Sequence, residues 1–109
     1  MRADGYRVLV VGAGIAGLAA ARALQAWGAT VEIVERAQGA GADGAGIYLP
    51  GNASRALDAL GLGTSVAASS VRIQRQRFLD HRGRVLADVD LAHVWQGVGP
   101  CLSLRRATL

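Results

Sequence analysis

One continuous stretch, residues 8–35, constrains the fold of this chain more than any other feature. It opens with Val8 to Val11, an apolar run rich in β-branched residues that suits a strand buried on both faces of a parallel sheet. A glycine-rich turn, a long apolar segment and a second apolar run follow, and the stretch ends on Glu35. This order predicts strand, turn, helix and strand, the elements of a βαβ unit.

Three glycines follow the first strand with the spacing G-x-G-x-x-G: Gly12, Gly14 and Gly17. The first allows a tight turn out of the strand, and the second lets the backbone approach a pyrophosphate. The third lets the helix pack closely on the strand. A side chain at these positions would obstruct a ligand, so the spacing predicts a phosphate-binding turn.

The segment from Ile15 to Trp27 has little polar character, which predicts a helix mostly buried against the sheet and ended by Gly28. The second strand is predicted at Val31 to Val34. Glu35 then stands 18 residues beyond Gly17, where a carboxylate can accept hydrogen bonds from the ribose hydroxyls of an adenosine. These features together favour dinucleotide binding.

Two other interpretations of this stretch stay open. In the first, the glycines of the βαβ unit serve packing alone. In the second, Arg2 and Arg7 precede the apolar run as they would in a secretory signal, although the glycine spacing and Glu35 would then be coincidences.

Length and composition limit the function classes. A chain of 109 residues is one small domain or part of one, not a complete two-domain enzyme. Its longest uncharged apolar run is too short to span a bilayer, so we expect no membrane partner. The single cysteine, Cys101, excludes an intramolecular disulfide and favours a cytoplasmic protein, and His81 and His93 do not suggest a metal site.

All twelve cationic residues are arginines, and the net charge is +4. Five of them cluster in a region that could form a basic ribbon for nucleic acid: Arg72, Arg75, Arg77, Arg82 and Arg84. Aromatic residues there are limited to Phe78, and a solvated hairpin explains the charges as well. We therefore predict no nucleic-acid partner.

The rest of the chain alternates short elements and turns. Ala37 to Gly46 is rich in glycine and alanine and is predicted to be a loop. The further predictions are a helix from an Asn52 N-cap to Leu60 ended by Gly61, a weaker helix at Thr64–Ser69, an antiparallel hairpin of Val71–Leu79 and Arg84–Leu91 joined by Asp80–Gly83, a loop at His93–Pro100 with Trp95 as a packing anchor, a strand at Cys101–Leu104, and a helix beginning at Arg105–Leu109.

Taken together, these landmarks resemble the N-terminal part of the FAD-dependent aromatic hydroxylases, the family of para-hydroxybenzoate hydroxylase. Besides the βαβ unit, the segment GAGIYLPGNASRALDALGLG at Gly44–Gly63 is similar to the family's G-I-x-L-x-P-N-A…A-L…L-G-L pattern. The segment LSLRRATL is similar to its strand followed by R-x-x-L. Many relatives place an arginine shortly before the G-I pair, where this chain has Asp43 and Gly44.

The resemblance implies a set of FAD-binding residues. The glycine turn with its adjoining backbone would hold the pyrophosphate, Glu35 the ribose and Arg36 the adenine side. Gly46 and Ile47 would lie near the flavin ring, and Arg106 would contact FAD from the R-x-x-L position. The full predicted set is Gly12, Gly14, Ile15, Ala16, Gly17, Glu35, Arg36, Gly46, Ile47 and Arg106. No catalytic residue is predicted.

The fold implied is α/β: a Rossmann-like βαβ FAD-binding fold with a partial doubly wound sheet that includes Cys101–Leu104, plus the antiparallel hairpin. Residues 1–109 would form one partial FAD-binding domain without a separate substrate domain. The implied function is the FAD-binding portion of a flavoprotein monooxygenase that hydroxylates a small aromatic substrate with NAD(P)H and O2.

The notable alternatives are a reductase or dehydrogenase that uses FAD or NAD, and a non-catalytic nucleotide-binding or interaction module. Glu35 disfavours NADP at this site because its charge would repel a 2′-phosphate. Because the sequence stops soon after Arg106, we expect a chain inactive alone, which self-associates or pairs with a complementary chain that supplies the rest of the fold.

Overall fold

The computed structural model describes residue 2, residues 4–38 and residues 45–109. Its contacts divide the chain into two compact units, Met1–Ala42 and Asp43–Leu109. Most of the predicted Ala37–Gly46 loop, including Asp43 and Gly44, lies outside the described residues. The mixed α/β class is confirmed.

The first unit is the predicted βαβ arrangement. Strand β1 (Arg7–Val11) is followed by helix α1 (Ile15–Ala26) and strand β2 (Thr30–Val34), and the two strands pair in parallel. Helix α1 ends where Gly28, at a φ of 101°, turns the chain in the left-handed region. Two backbone bonds close this end, Gly28 N–H to Gln25 O at 2.9 Å and Ala29 N–H to Leu24 O at 3.1 Å. The predicted single helix after the strand and its glycine stop are confirmed.

The prediction of a strand buried on both faces is wrong for β1 within the described unit. Val8 and Val10 are half-buried on the face that α1 covers, whereas the side chains of Leu9 and Val11 are 58% and 80% exposed. The exposed face also has polar groups, since Arg7 pairs with Glu32 across the two strands at 3.4 Å. A two-stranded sheet with one helix covers a single face.

The expectation of a mostly buried α1 is wrong for the same reason. Ala21 is the one fully buried residue of this helix, and Ile15 and Leu18 are 39% and 48% exposed. Two strands are too narrow to cover more than one stripe of a helix whose apolar residues lie all around its axis.

The second unit contains the remaining elements in short succession. They are β3 (Gly46–Leu49), α2 (Gly51–Ala59), α3 (Gly63–Ala68), β4 (Val71–Arg72), β5 (Arg75–Leu79), β6 (Val85–Asp90), α4 (Leu91–Val94), β7 (Leu102–Arg105) and a 3-10 turn at Arg106–Thr108. Helix α2 begins at Gly51 after Pro50 without a side-chain cap, so the Asn52 N-cap is wrong. Gly61, at a φ of 74°, ends it as predicted.

The predicted strand near Cys101–Leu104 exists as β7, but its expected place in the parallel sheet is wrong. β7 is the middle strand of an antiparallel sheet with the order β3-β7-β4. Its apolar residues form the core of the second unit with neighbours from β3 and α3. The buried members of that core are Leu49, Val66, Leu102 and Leu104.

The predicted strand Val71–Leu79 is divided at Ile73 and Gln74. The Ile73 N–H donates to Cys101 O, next to the β4–β7 pairing, and the Gln74 carbonyl accepts from the Leu91 N–H, next to the β5–β6 pairing, both at 2.9 Å. The chain therefore changes its pairing partner between Ile73 and Gln74. β5 and β6 then form the predicted hairpin. The Asp80 carboxylate closes its turn by accepting the N–H groups of Arg82 and Arg84 at 2.8 and 2.9 Å.

The predicted loop after the hairpin is partly helical. Leu91, expected to end the returning strand, begins α4 instead, because the Asp90 carboxylate caps this short helix by accepting the His93 N–H at 3.2 Å. In the described part of the chain, none of the helices has the length and apolar character needed to cross a membrane.

Candidate functional site

The glycine-rich turn connects β1 to α1 in the first unit. Gly12 has a φ of 104°, a conformation that glycine adopts more readily than any residue with a β-carbon. Its N–H donates to the Val34 carbonyl at 2.7 Å. This bond extends the β1–β2 ladder by one step into the turn. The turn is thus anchored to the end of β2.

Gly17 packs against this turn. A β-carbon on Gly17 would overlap the carbonyl oxygen of Gly12 and would lie 3.4 Å from Val10 Cγ1. The predicted role of the third glycine, close packing of the helix on the strand, is therefore what the structure shows.

Gly12 and Gly14 face open space. A β-carbon built on either residue would meet no atom within 4 Å. The backbone of the turn is therefore accessible to a ligand, as the predicted roles of these two glycines require.

The N terminus of α1 also has no side chain that caps it. Gly14 is its N-cap residue and has no side chain to cap the helix, and the first turn has no acidic residue. The N–H groups at the start of a helix have no intrahelical partner, and the helix dipole favours an anion there. The backbone of Ile15 and Ala16 thus lies where a phosphate group would be stabilised.

Glu35 lies directly after β2 and is bonded to the glycine-rich turn. Its Oε2 accepts the Ala13 N–H at 2.7 Å, and its Oε1 accepts the Ala37 N–H at 3.1 Å. These amide bonds, that of Ala13 first and that of Ala37 second, lower the pKa of the Glu35 carboxyl below its ordinary value of 4.5. The side chain remains exposed, and Arg36, which follows it, is exposed too.

The bond from Ala13 to Glu35 is a feature that sequence reasoning missed. The sequence predicted the two ends of the βαβ unit as separate parts of one site. In a parallel pair, however, the carboxyl ends of both strands lie at the same edge of the sheet. That rule, applied to Val11 and Val34, could have indicated that Glu35 reaches the turn after β1.

The other three predicted residues lie together at one end of the sheet in the second unit. Gly46 and Ile47 begin β3 and pair with Arg105 and Leu104 at the end of β7. The Arg106 N–H donates to the Ala45 carbonyl at 2.9 Å. Gly46 and Arg106 are exposed, and Ile47 is half-buried. The antiparallel pairing therefore brings the G-I segment and the R-x-x-L segment to one edge.

The residues of the first unit fit FAD on structural grounds. The adenosine diphosphate part of FAD requires donors for a pyrophosphate and an acceptor for a ribose. An uncapped helix start, glycines whose missing side chains leave open space, and an ionised carboxylate at the same turn supply these groups.

Comparison with known proteins decides the family. The family model described as the FAD binding domain matches residues 5–101. The chain belongs to this family. The predicted kinship with the aromatic hydroxylases is confirmed, and FAD is the cofactor of the family.

The curated relatives include proteins named as monooxygenases and as hydroxylases. The chain is 36% identical over 106 residues to aurachin C monooxygenase/isomerase of Stigmatella aurantiaca, an alignment that covers 96% of this chain and 28% of that protein. It is 39% identical over 87 residues to 3-hydroxybenzoate 6-hydroxylase 1 of Aquipseudomonas alcaligenes, which covers 79% of this chain and 22% of that protein. The FAD-binding chain thus spans about a quarter of these relatives.

Solved structures agree on the fold. The p-nitrophenol 4-monooxygenase PnpA of Pseudomonas putida DLL-E4 matches 99% of this chain and 28% of that chain, with a TM-score of 0.83 and 23% identity. HpxO of Klebsiella pneumoniae, complexed with FAD and uric acid, matches 94% of this chain and 26% of that chain, with a TM-score of 0.80 and 27% identity. A tetrameric form of 2-methyl-3-hydroxypyridine-5-carboxylic acid oxygenase matches the same shares, with a TM-score of 0.81 and 31% identity.

Proposed function

We propose that this chain is the FAD-binding portion of a flavoprotein monooxygenase that hydroxylates a small aromatic substrate with NAD(P)H and O2. One observation carries the proposal: within a chain of this family, the open start of α1 and the Glu35 carboxylate meet at one glycine-rich turn. The names of the relatives, several of them hydroxylases of hydroxybenzoates, support the aromatic substrate.

In this proposal, the first unit holds the adenosine diphosphate part of FAD. Gly12 and Gly14 leave room for the pyrophosphate because neither has a side chain. The backbone N–H groups at the uncapped start of α1, those of Ile15, Ala16 and Gly17, donate to it, and the dipole of α1 stabilises its charge. The carboxylate of Glu35 accepts hydrogen bonds from the ribose hydroxyls. Arg36, exposed beside Glu35, contacts the adenine side.

The second unit contributes the contacts nearer the reacting end of the cofactor. Gly46 and Ile47 lie near the flavin ring, where the absence of a side chain at Gly46 leaves open space. Arg106 donates to FAD, because a guanidinium suits phosphate and ribose oxygens. When bound, FAD would accept hydride from NAD(P)H and supply the oxygen chemistry. The chain binds and orients the cofactor.

We infer that residues 1–109 form one partial FAD-binding domain and that hydroxylation needs further segments of the kind the longer relatives contain. The exposure of Leu9 and Val11 supports this inference, since apolar side chains of a parallel strand are usually covered. A second copy or a complementary chain is the proposed cover. The buried free thiol of Cys101 favours a reducing, cytoplasmic location.

Flavin uptake, molecular mass and turnover test the proposal together. The chain is incubated with FAD and desalted, its absorbance spectrum is recorded, and its mass is measured by size-exclusion chromatography with light scattering. An NAD(P)H-oxidation assay with 3-hydroxybenzoate runs in parallel. We expect weak flavin uptake, a dimer or larger species, and no turnover by the chain alone.

Two results would contradict the proposal in different ways. Tight NAD binding without any flavin uptake would overturn the FAD function and favour a dehydrogenase. A compact monomer that binds FAD tightly and oxidises NADPH with the aromatic substrate would overturn the inferred need for further segments.

A further inference from the structure

The first two amide groups of the glycine-rich turn are already occupied by the end of β2. Gly12 donates to the Val34 carbonyl, and Ala13 donates to Glu35 Oε2, both at 2.7 Å. Donors for a phosphate must therefore come from the backbone further along, at the uncapped start of α1. The position of that helix start depends on the turn that precedes it.

Glu35 connects the turn to the chain beyond β2. One of its oxygens accepts from Ala13 and the other from Ala37, so the carboxylate bridges two backbone segments. A carboxylate has about four lone-pair positions. The amides of Ala13, Ala37 and Arg36 use three of them, so one remains for a ribose hydroxyl while the bonds to Ala13 and Ala37 are kept.

We propose that Glu35 is a positioning residue for the phosphate-binding turn in addition to its role toward the ribose, an inference that rests on the proposed FAD function. The backbone bond of Gly12 fixes the first residue of the turn, and the charge-assisted bond to Glu35 fixes the second. A turn held in this way before the ligand arrives costs less conformational entropy on binding. Recognition of ribose and of phosphate is then coupled through one side chain.

The positioning role and a role toward ribose alone predict opposite effects on a ligand without ribose. If Glu35 touched ribose alone, its removal would take a negative charge away from a phosphate site and strengthen or leave unchanged the binding of inorganic pyrophosphate. If Glu35 positions the turn, its removal weakens pyrophosphate binding despite the lost repulsion.

Three variants of the full chain separate these roles: Glu35→Ala, Glu35→Gln and the control Glu32→Ala. Glu32 is an exposed carboxylate on β2, three residues before Glu35, and it pairs with Arg7 rather than with the turn. Amide hydrogen exchange is measured by NMR without ligand, and inorganic pyrophosphate and ADP are then titrated. The Gly12 amide serves as an internal reference, because its bond to Val34 does not involve Glu35.

We expect exchange at the Ala13 amide to rise at least about tenfold in Glu35→Ala, since a hydrogen bond to a charged group is lost. Exchange at Gly12 should change much less, which also shows that the variant remains folded. Pyrophosphate affinity should fall at least about threefold in Glu35→Ala, to a smaller extent in Glu35→Gln, which keeps one acceptor, and not in Glu32→Ala.

Unchanged exchange at Ala13, or pyrophosphate binding that is unchanged or tighter in Glu35→Ala, would overturn the positioning role. A different result would overturn the proposed function instead. If the wild-type chain bound neither FAD nor ADP while Ala13 still lost its protection in Glu35→Ala, the link between Glu35 and Ala13 would stand and the cofactor assignment would fail.

Discussion

Gly17 lies so close to the carbonyl group of Gly12 that a β-carbon on Gly17 would overlap the Gly12 oxygen. The contact joins the first turn of α1 to the end of β1. Gly17, the third glycine of the motif, is therefore needed for packing. Gly14 is not, because a β-carbon there would meet open space. A substitution at Gly17 should therefore reduce stability, whereas one at Gly14 should reduce ligand binding.

Gly17→Ala should lower the free energy of unfolding by about 1–3 kcal/mol, the usual cost of overpacking a close contact. The added methyl group must push α1 away from the turn, because the atom that it meets is backbone and not a flexible side chain. Urea unfolding followed by circular dichroism measures the change. A Gly17→Ala chain as stable as the wild type would show that the helix does not depend on this contact.

Gly14→Ala should mainly affect ligand binding. Gly14 has a φ of −75°, which alanine adopts readily, and its β-carbon would meet no protein atom within 4 Å. Stability should therefore change by less than about 1 kcal/mol. FAD affinity should fall about tenfold or more, equivalent to about 1.4 kcal/mol, because the methyl group occupies the space in front of the helix start. Unchanged affinity would place the pyrophosphate elsewhere.

Glu35 should make stability depend on pH in the acidic range. Its folded pKa lies below the ordinary 4.5 because the Ala13 and Ala37 amides stabilise the charged form. The carboxylate therefore stabilises the folded chain above pH 4.5, and this contribution is lost as the pH falls through the lower folded pKa. Unfolding at a series of pH values should show a shallower acidic loss for Glu35→Gln than for the wild type.

The matched variant for that series is Asp80→Asn. Asp80 also has a lowered pKa, because it accepts the Arg84 amide and pairs with the Arg84 side chain in the hairpin turn. Removing the Asp80 charge should make the stability of the second unit less sensitive to acid. Removing the Glu35 charge should do the same for the first unit. Parallel pH curves for Glu35→Gln and the wild type would contradict the role assigned to Glu35.

Much of the first unit was predictable because local signals there agree with one another. Glycine spacing, the apolar runs and Gly28 all have a local physical cause, so the order β1, α1 and β2 followed from the sequence. Burial did not follow, since the exposure of Leu9 and Val11 depends on which elements cover the sheet. Burial is a property of the assembled structure, and a hydrophobic pattern records only what can be buried.

The second unit was harder to predict because its elements are short and their pairing is non-local. β7 pairs with β3 across more than 50 residues of chain, and no local pattern distinguishes this antiparallel partner from a parallel one. The start of α2 at Gly51 is local, since the N–H groups of Ala53 and Ser54 donate to Pro50 O at 2.9 and 3.1 Å. Long-range packing requires the glycine there, because a β-carbon on Gly51 would lie 2.5 Å from Gly99 O and 2.9 Å from the Trp95 ring.

Gly99→Ala should consequently destabilise the second unit by about 1–3 kcal/mol. Its β-carbon would lie 2.5 Å from Gly51 O and 2.8 Å from Ser54 Oγ, and Ser54 is held there by its own bond to Pro100 O at 2.6 Å. Gly46→Ala is the control, since a β-carbon at Gly46 meets nothing within 4 Å. Thermal unfolding compares the two variants. Equal melting temperatures would show that the contact between the Gly99 and Gly51 segments tolerates an added methyl group.

The proposed function requires the chain to bind FAD through the turn shared by Gly14 and Glu35. Calorimetric titration of the wild type, Gly14→Ala and Glu35→Ala with FAD and separately with NAD tests it most directly. We expect the wild type to prefer FAD and both substitutions to weaken FAD binding, whereas Glu32→Ala should bind FAD as the wild type does. A preference for NAD, or FAD binding that neither substitution alters, would contradict it.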